Sequence, residues 1–313
     1  MFDCISAERF KMKQVTIYIA AAPAFRQEAE NLVRHLNSFD ENLICRMLSD
    51  NPQKDIGARE GTRESTRDDA KEAADSAMLL RCDEDGLTLI SDGMELRGDF
   101  TKMLPRITKG RLASEQLVRA ARIKNADPQK ECLTAIDCTA GLGEDSILLA
   151  AAGFHVLMFE HNPVIAALLR DSLRRARKSR NPLLAEIAGR MELQEGDSAV
   201  ILSGQCSEGT AISISSAQPG GGTGTCARPH IIFLDPMFPA RQKGGISKKK
   251  LQILQKLELP CAGEEELLQA AMRLRPAKIV IKRPLKGPYL AGIRPGYSIE
   301  GKTIRYDVIT SFP

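Results

Sequence analysis

Histidine is scarce in this chain, 4 in 313 residues, and none of its 8 cysteines forms a Cys-x-x-Cys pair. Those gaps remove the usual spacings of a zinc site and of a disulfide framework. The thiols are therefore expected to be reduced, as in a cytoplasmic protein, and no metal is expected. No stretch supplies the roughly eighteen uncharged apolar residues of a membrane-spanning helix. The opening Met1-Phe-Asp-Cys-Ile-Ser lacks the basic-then-apolar order of a secretory leader. A glycine is missing as well: Ser146 stands where the dinucleotide-binding pattern G-x-G-x-x-G requires its third.

What is present is an ordinary globular composition, 43% hydrophobic and 27% charged. The length suits one large domain and a smaller one. Residues 1–98 read as a small α/β region. Val15 to Ala20 and Leu43 to Leu48 have strand patterns, and Ala24 to Asn37 has a helical one. Ala77 to Arg81, Leu87 to Ser91 and Met94 to Arg97 form short strands joined by Asp-Gly turns. Between these, residues 49–75 are almost wholly polar and read as a long loop. Residues 99–313 read as the main domain, with 205–229, rich in Ser, Thr and Gly, as a flexible insertion. The net charge of +4 conceals a division. Residues 1–98 carry 13 Lys and Arg against 19 Asp and Glu, and the remainder 31 against 21. A basic main domain suits a polyanionic substrate, although charge alone also serves solubility.

The main domain opens with a basic helix expected over Leu112 to Lys124. From Thr134 strand and helix alternate, the sign of a parallel sheet with right-handed crossovers. Strands are expected at Ala135-Ile136, Phe154–Phe159, Met191–Gln194, His230–Leu234 and Lys278–Ile281, with helices at 146–152, from Pro163 to about Lys178, and at Glu264–Arg273. Tyr297–Ile299 and Thr303–Ile309 suggest a terminal hairpin, which gives the sheet an antiparallel last strand.

Four points along this alternation carry chemistry. After the first strand comes Asp137-Cys-Thr-Ala-Gly141-Leu-Gly143-Glu144-Asp145. Its D-x-x-x-G-x-G spacing fits the loop that wraps the methionine part of S-adenosylmethionine (SAM) in Rossmann-like methyltransferases; an incidental tight turn is the plain alternative. The next strand ends in Glu160, where a carboxylate can accept hydrogen bonds from a ribose diol. The third strand leads to Gly196-Asp197-Ser198, with Asp197 a candidate for the adenine amino group or a simple turn aspartate. The fourth ends in Asp235-Pro236-Met237-Phe238-Pro239, similar to the [D/N]-P-P-[Y/F] signature of enzymes that methylate exocyclic amines of bases. There the Asp235 carboxylate and the Pro236 carbonyl would accept the two N–H groups of the amine, and Phe238 would stack on the base. The following segment, with Arg241, Lys243, Lys248, Lys249, Lys250 and Lys256, is where a phosphate backbone would lie, or else a solvated helix start.

The loop, together with Glu160-His-Asn-Pro-Val-Ile-Ala-Ala-Leu-Leu169, Leu234-Asp-Pro-Met-Phe-Pro239 and Lys282-Arg-Pro284, resembles the bacterial 16S ribosomal RNA guanine-N2 methyltransferases of the J type. The similarity runs from about Asp99 onward. It implies an α/β, Rossmann-like class I methyltransferase sheet, SAM as cofactor, and a guanosine of 16S rRNA or the small ribosomal subunit as target. It also implies SAM contacts at Glu144, Asp145, Glu160, His161, Asp197, Ser198 and Asp235, beside the loop residues Asp137, Gly141 and Gly143. Glu144 and His161 stand where the family usually has Arg, and Asp197 where it has a small polar residue. Three competing readings remain at this stage. One is an adenine-N6 or cytosine-N4 methyltransferase, since D-P-M-F does not distinguish exocyclic amines. The others are an NAD-dependent oxidoreductase and an inert RNA-binding module.

Overall fold

A computed structural model of the chain describes residues 15–39, 43–48, 78–124, 132–208, 228–236, 257 and 263–310. Two compact units divide it, Met1–Leu96 and Arg97–Pro313. Among the described residues no helix is long and apolar enough to cross a membrane.

The first unit is a five-stranded sheet built from β1 (Val15–Ala21), β2 (Leu43–Met47), β3 (Met78–Asp83), β4 (Gly86–Ser91) and β5 (Met94–Leu96), in the order β2-β1-β3-β4-β5. The first three strands run parallel, and β3, β4 and β5 are joined as antiparallel hairpins. The turn before β5 is Asp92-Gly93, both at positive φ (50° and 67°), the geometry whose twist matches a two-residue hairpin. Helix α1 (Arg26–Phe39) turns Ala29 and Leu36 inward. Its Asn37 amide pairs with both backbone groups of Cys45 in β2, at 3.0 and 2.6 Å.

The second unit is a seven-stranded sheet. Its chain order is α2 (Gln116–Ala121), β6 (Thr134–Asp137), α3 (Ser146–Ala151), β7 (His155–Glu160), α4 (Pro163–Arg177), α5 (Pro182–Gly189), β8 (Met191–Glu195), α6 (Ser198–Glu208), β9 (Ile231–Leu234), α7 (Glu264–Arg273), β10 (Lys278–Pro284), β11 (Tyr297–Glu300) and β12 (Ile304–Ile309). The spatial order is β11-β12-β10-β9-β6-β7-β8. From β8 to β10 all neighbours are parallel, and β12 enters antiparallel between β10 and β11.

Both faces of this sheet are covered, so its central strands are apolar throughout. Alternate residues divide between two cores. Ala135, Val156, Met158, Ile231 and Phe233 pack with α2 to α5. Ile136, Leu157, Phe159, Ile232 and Leu234 pack with α6 and α7. The helix starts repeat one device. Asn162 caps α4 by accepting from the Val164 and Ile165 N–H groups, Asn181 caps α5 by accepting from Leu184, and each is followed by Pro at the first helical position.

Two expectations are corrected here. The basic helix expected over Leu112 to Lys124 is broken, because Glu115 has an extended backbone and α2 starts only at Gln116. The Glu115 carboxylate is taken by a bidentate pair with Arg106, 2.8 Å to each nitrogen. Residues 205–208, expected within the flexible insertion, are instead the end of α6, which continues through Glu208. Residues 209–227 lie outside the described residues.

Candidate active site

Strands β6 and β9 are neighbours, yet the chain leaves them in opposite directions, through β7 and β8 on one side and β10 on the other. That reversal opens a crevice at the carboxyl ends of the strands, the usual ligand position in a doubly wound sheet. The two strand ends are laced together. Cys138 N–H donates to the Phe233 carbonyl at 3.0 Å, and Asp235 N–H donates to Thr139 Oγ1 at 2.7 Å.

The glycine loop is shaped from below by Asp137, which is 1% exposed. One carboxylate oxygen accepts from Thr139 N–H at 3.0 Å and the other from the Ser146 hydroxyl. Ser146, standing where a third glycine was wanting, thus fastens the start of α3 to the end of β6. Burial lifts the Asp137 pKa from 3.8 to about 7, against the pull of the Ser146 and Thr139 hydrogen bonds. Gly141 and Gly143 both take positive φ, 55° and 76°. A Cβ on Gly143 would lie 2.8 Å from Leu169 Cδ1 and 3.0 Å from Phe100, whereas one on Gly141 would meet nothing within 4 Å. The loop is therefore closed on the protein side at Gly143 and open at Gly141.

Glu160 ends β7 with its carboxylate turned to backbone: Oε2 accepts from Gly141 N–H at 2.8 Å and Oε1 from Asn162 N–H at 2.7 Å. It sets the loop's height as well as lining the crevice. Asp197 is exposed at the start of α6 and accepts from Ala199 N–H at 2.8 Å. Ser198 is buried and donates to the Cys138 carbonyl at 2.9 Å, tying α6 to the loop. Glu144 and His161 are both exposed.

At the centre stands a residue that local sequence pattern did not single out. Lys282, on β10, donates from Nζ to Asp145 Oδ2 at 2.6 Å and to Asp235 Oδ2 at 2.8 Å. Burial works against its ammonium, but the two carboxylates outweigh that and hold its pKa well above the ordinary lysine value. Asp235 is pushed upward by burial and by Asp145, with Lys282 pulling it down. Tyr306, from β12, is buried against the same group; burial and the Asp145 charge raise its phenol pKa. In the sequence Lys282 stood only as the first residue of the Lys282-Arg-Pro284 block that carries the resemblance, after the apolar run Ile279-Val280-Ile281, with no role of its own.

The structure thus gathers Asp137, Gly141, Gly143, Asp145, Glu160, Ser198 and Asp235 through direct hydrogen bonds or adjacency, with Glu144, His161 and Asp197 on the same strand-end edge. Pro236 follows Asp235 and is buried. Phe238 and the basic segment from Arg241 to Lys256 lie outside the described residues.

Comparison with known proteins adds to this geometry. A family model described as putative SAM-dependent methyltransferase matches residues 66–311. "Ribosomal RNA small subunit methyltransferase J" of Pseudomonas aeruginosa strain LESB58 is 41% identical over 173 residues, 55% of this chain and 58% of that one. The chain thus spans less than two thirds of the first curated relatives it matches. The protein of the same description from Marinobacter nauticus is 34% identical over 244 residues, 76% of this chain and 79% of that one. The crystal structure of a SAM-dependent methyltransferase from Neisseria gonorrhoeae superposes with a TM-score of 0.60 at 24% identity, covering 94% of this chain and 95% of that chain; it carries the same fold.

Proposed function

The chain belongs to the family of SAM-dependent methyltransferases, and from that premise we propose that it methylates the exocyclic N2 amine of a guanosine in 16S rRNA, in the cytoplasm, on naked rRNA or on the small ribosomal subunit. The observation that carries this reading is Asp235, its carboxylate held by Lys282 and its backbone N–H by Thr139 at the strand ends beside the glycine loop. The names of the J-type relatives point to the ribosomal RNA of the small subunit as their substrate.

The residues present fit SAM. Gly141 leaves a space that any side chain would fill. Glu160, Asp197 and Asp235 offer acceptors for hydroxyl, amino and ammonium groups, and Glu144, Asp145, His161 and Ser198 line the same edge. When bound, SAM supplies an electrophilic methyl group on a sulfonium. The protein's share is to hold the amine in line for attack. Its lone pair is delocalised into the purine ring. Acceptance of its two N–H bonds by the Asp235 carboxylate and the Pro236 carbonyl draws the nitrogen toward a tetrahedral, nucleophilic form and offsets the charge that develops on it. Pro236 fixes its own φ beside Asp235, and the aromatic ring of Phe238, two residues on in the sequence, is of the type that stacks on a base.

The test is transfer of labelled methyl from SAM to small subunits and to naked 16S rRNA from cells lacking this protein, followed by nucleoside analysis. N2-methylguanosine on either supports the proposal. Methylated adenine or cytosine would keep the mechanism and replace the base. Absence of transfer to both defeats it.

A further inference from the structure

Beyond Lys282, β10 runs into residues 285–296, Leu-Lys-Gly-Pro-Tyr-Leu-Ala-Gly-Ile-Arg-Pro-Gly, which leave the sheet at the same edge as Asp235. This loop is exposed yet held with unusual care. Arg305, from β12, is 5% exposed and donates from Nη1 to the carbonyls of Pro284, Leu285 and Gly287 at 2.8 to 3.0 Å. Arg283, 2% exposed, donates to the Pro288 carbonyl at 3.1 Å. Asp307 holds Arg305 from behind, and Leu290 is buried in the core beside α7. Ala291 sits at φ 48°, a left-handed conformation that costs a residue with a side chain, and Gly292 follows at 70°. Burying two guanidinium groups is expensive unless they are paired and hydrogen-bonded, and here the Asp307 and Glu264 carboxylates pair them while carbonyls of Pro284 and of the loop accept further bonds.

The care is spent on what the loop displays. Tyr289 rests against the Arg305 guanidinium, 5.1 Å from ring centre to Cζ, with 40% of its surface still open. Ile293 is 36% exposed, and Lys286 and Arg294 are exposed on the same loop. Between Pro284 and Ile299 the chain has no acidic residue. A flat aromatic, an apolar neighbour and two flexible cations on a fixed backbone match a single-stranded nucleic acid, whose bases stack and whose phosphates need counter-charge. Resting on the function proposed above, we propose that residues 285–296 form a rigid platform for the RNA strand flanking the target nucleotide, with Tyr289 and Ile293 under its bases and Lys286 and Arg294 on its phosphates.

The experiment compares the full chain with Lys286→Glu/Arg294→Glu and with Tyr289→Ala, measuring equilibrium binding to naked 16S rRNA across a salt series, steady-state methyl transfer and SAM affinity. The expected result is about a tenfold or greater rise in the Kd and KM for RNA, as loss of phosphate contacts or of a stacked base would give. A shallower salt dependence is expected for the double variant, with SAM affinity and kcat at saturating RNA unchanged. Should Tyr289→Ala loosen the fold, the double variant decides, because both its side chains are exposed. Unaltered RNA affinity in the double variant overturns the proposal. So does a defect confined to assembled subunits, which would assign the platform to a ribosomal protein. If the unaltered chain transfers no methyl group to rRNA, the function reading fails instead, an outcome distinct from an active chain whose variants bind RNA equally well.

Discussion

At the scale of single residues, the crevice is governed by one cation between two carboxylates. Lys282 holds Asp145 and Asp235 in place, and Lys282→Met would leave both facing each other without it. Turnover is expected to fall ten- to a hundredfold, the effect of losing charged hydrogen bonds worth about 1.5–3 kcal/mol. Lys282→Arg should restore part of it, which steady-state kinetics at saturating SAM would register. Asp235→Ala should abolish transfer while SAM affinity, followed by calorimetry, falls much less; a fully active variant would sink the assignment of Asp235. Asp137 makes a different prediction. Its folded pKa, about 7, lies above the ordinary 3.8, so the folded chain keeps a proton that the unfolded chain releases. The resulting stabilisation is fully present below pH 4 and is lost as pH rises through 7. Asp137→Asn should therefore flatten the fall of Tm between pH 4 and 7, as read by thermal unfolding.

At the scale of elements, the two loop glycines separate folding from binding. Gly143→Ala combines a positive φ with contacts at 2.8 and 3.0 Å and should cost about 1–3 kcal/mol of stability in urea unfolding. Gly141→Ala meets open space, so its stability cost should be smaller and its effect on SAM affinity larger. The alternating strands were legible in the sequence because both faces of a parallel sheet are buried, which makes runs such as Ile231–Leu234 apolar throughout. The start of α5 was legible too, since Asn181-Pro182 repeats the signal of Asn162-Pro163, but its eight residues were passed over between Lys178 and Met191. The break before α2 was not legible, because it goes with a side-chain pair between Arg106 and Glu115, nine residues apart, that no helical or strand period predicts. The role of Lys282 was not legible either, although the residue stood in the Lys282-Arg-Pro284 block. Its partners lie 137 and 47 residues away along the chain, and no local periodicity reports them.

At the scale of the molecule, every residue placed at the crevice belongs to Arg97–Pro313, which has both cores of its own sheet. A chain beginning at Arg97 is expected to bind SAM with the affinity of the whole, by calorimetry; a tenfold loss would assign residues 1–96 a part in the crevice. The basic surplus in the same unit predicts that rRNA affinity falls linearly with salt on logarithmic axes. One hydroxyl described above has a wider meaning. Thr139 belongs to the glycine loop, yet it holds the backbone of Asp235, so neither loop can shift alone. If ligands on either side of such a joint are coupled through it, reciprocity makes the effect of each on the other equal, and a joint that both ligands tighten makes it a strengthening one. The protein would then take its donor and its target as a cooperative pair, and releasing the spent donor would loosen its hold on the finished nucleotide.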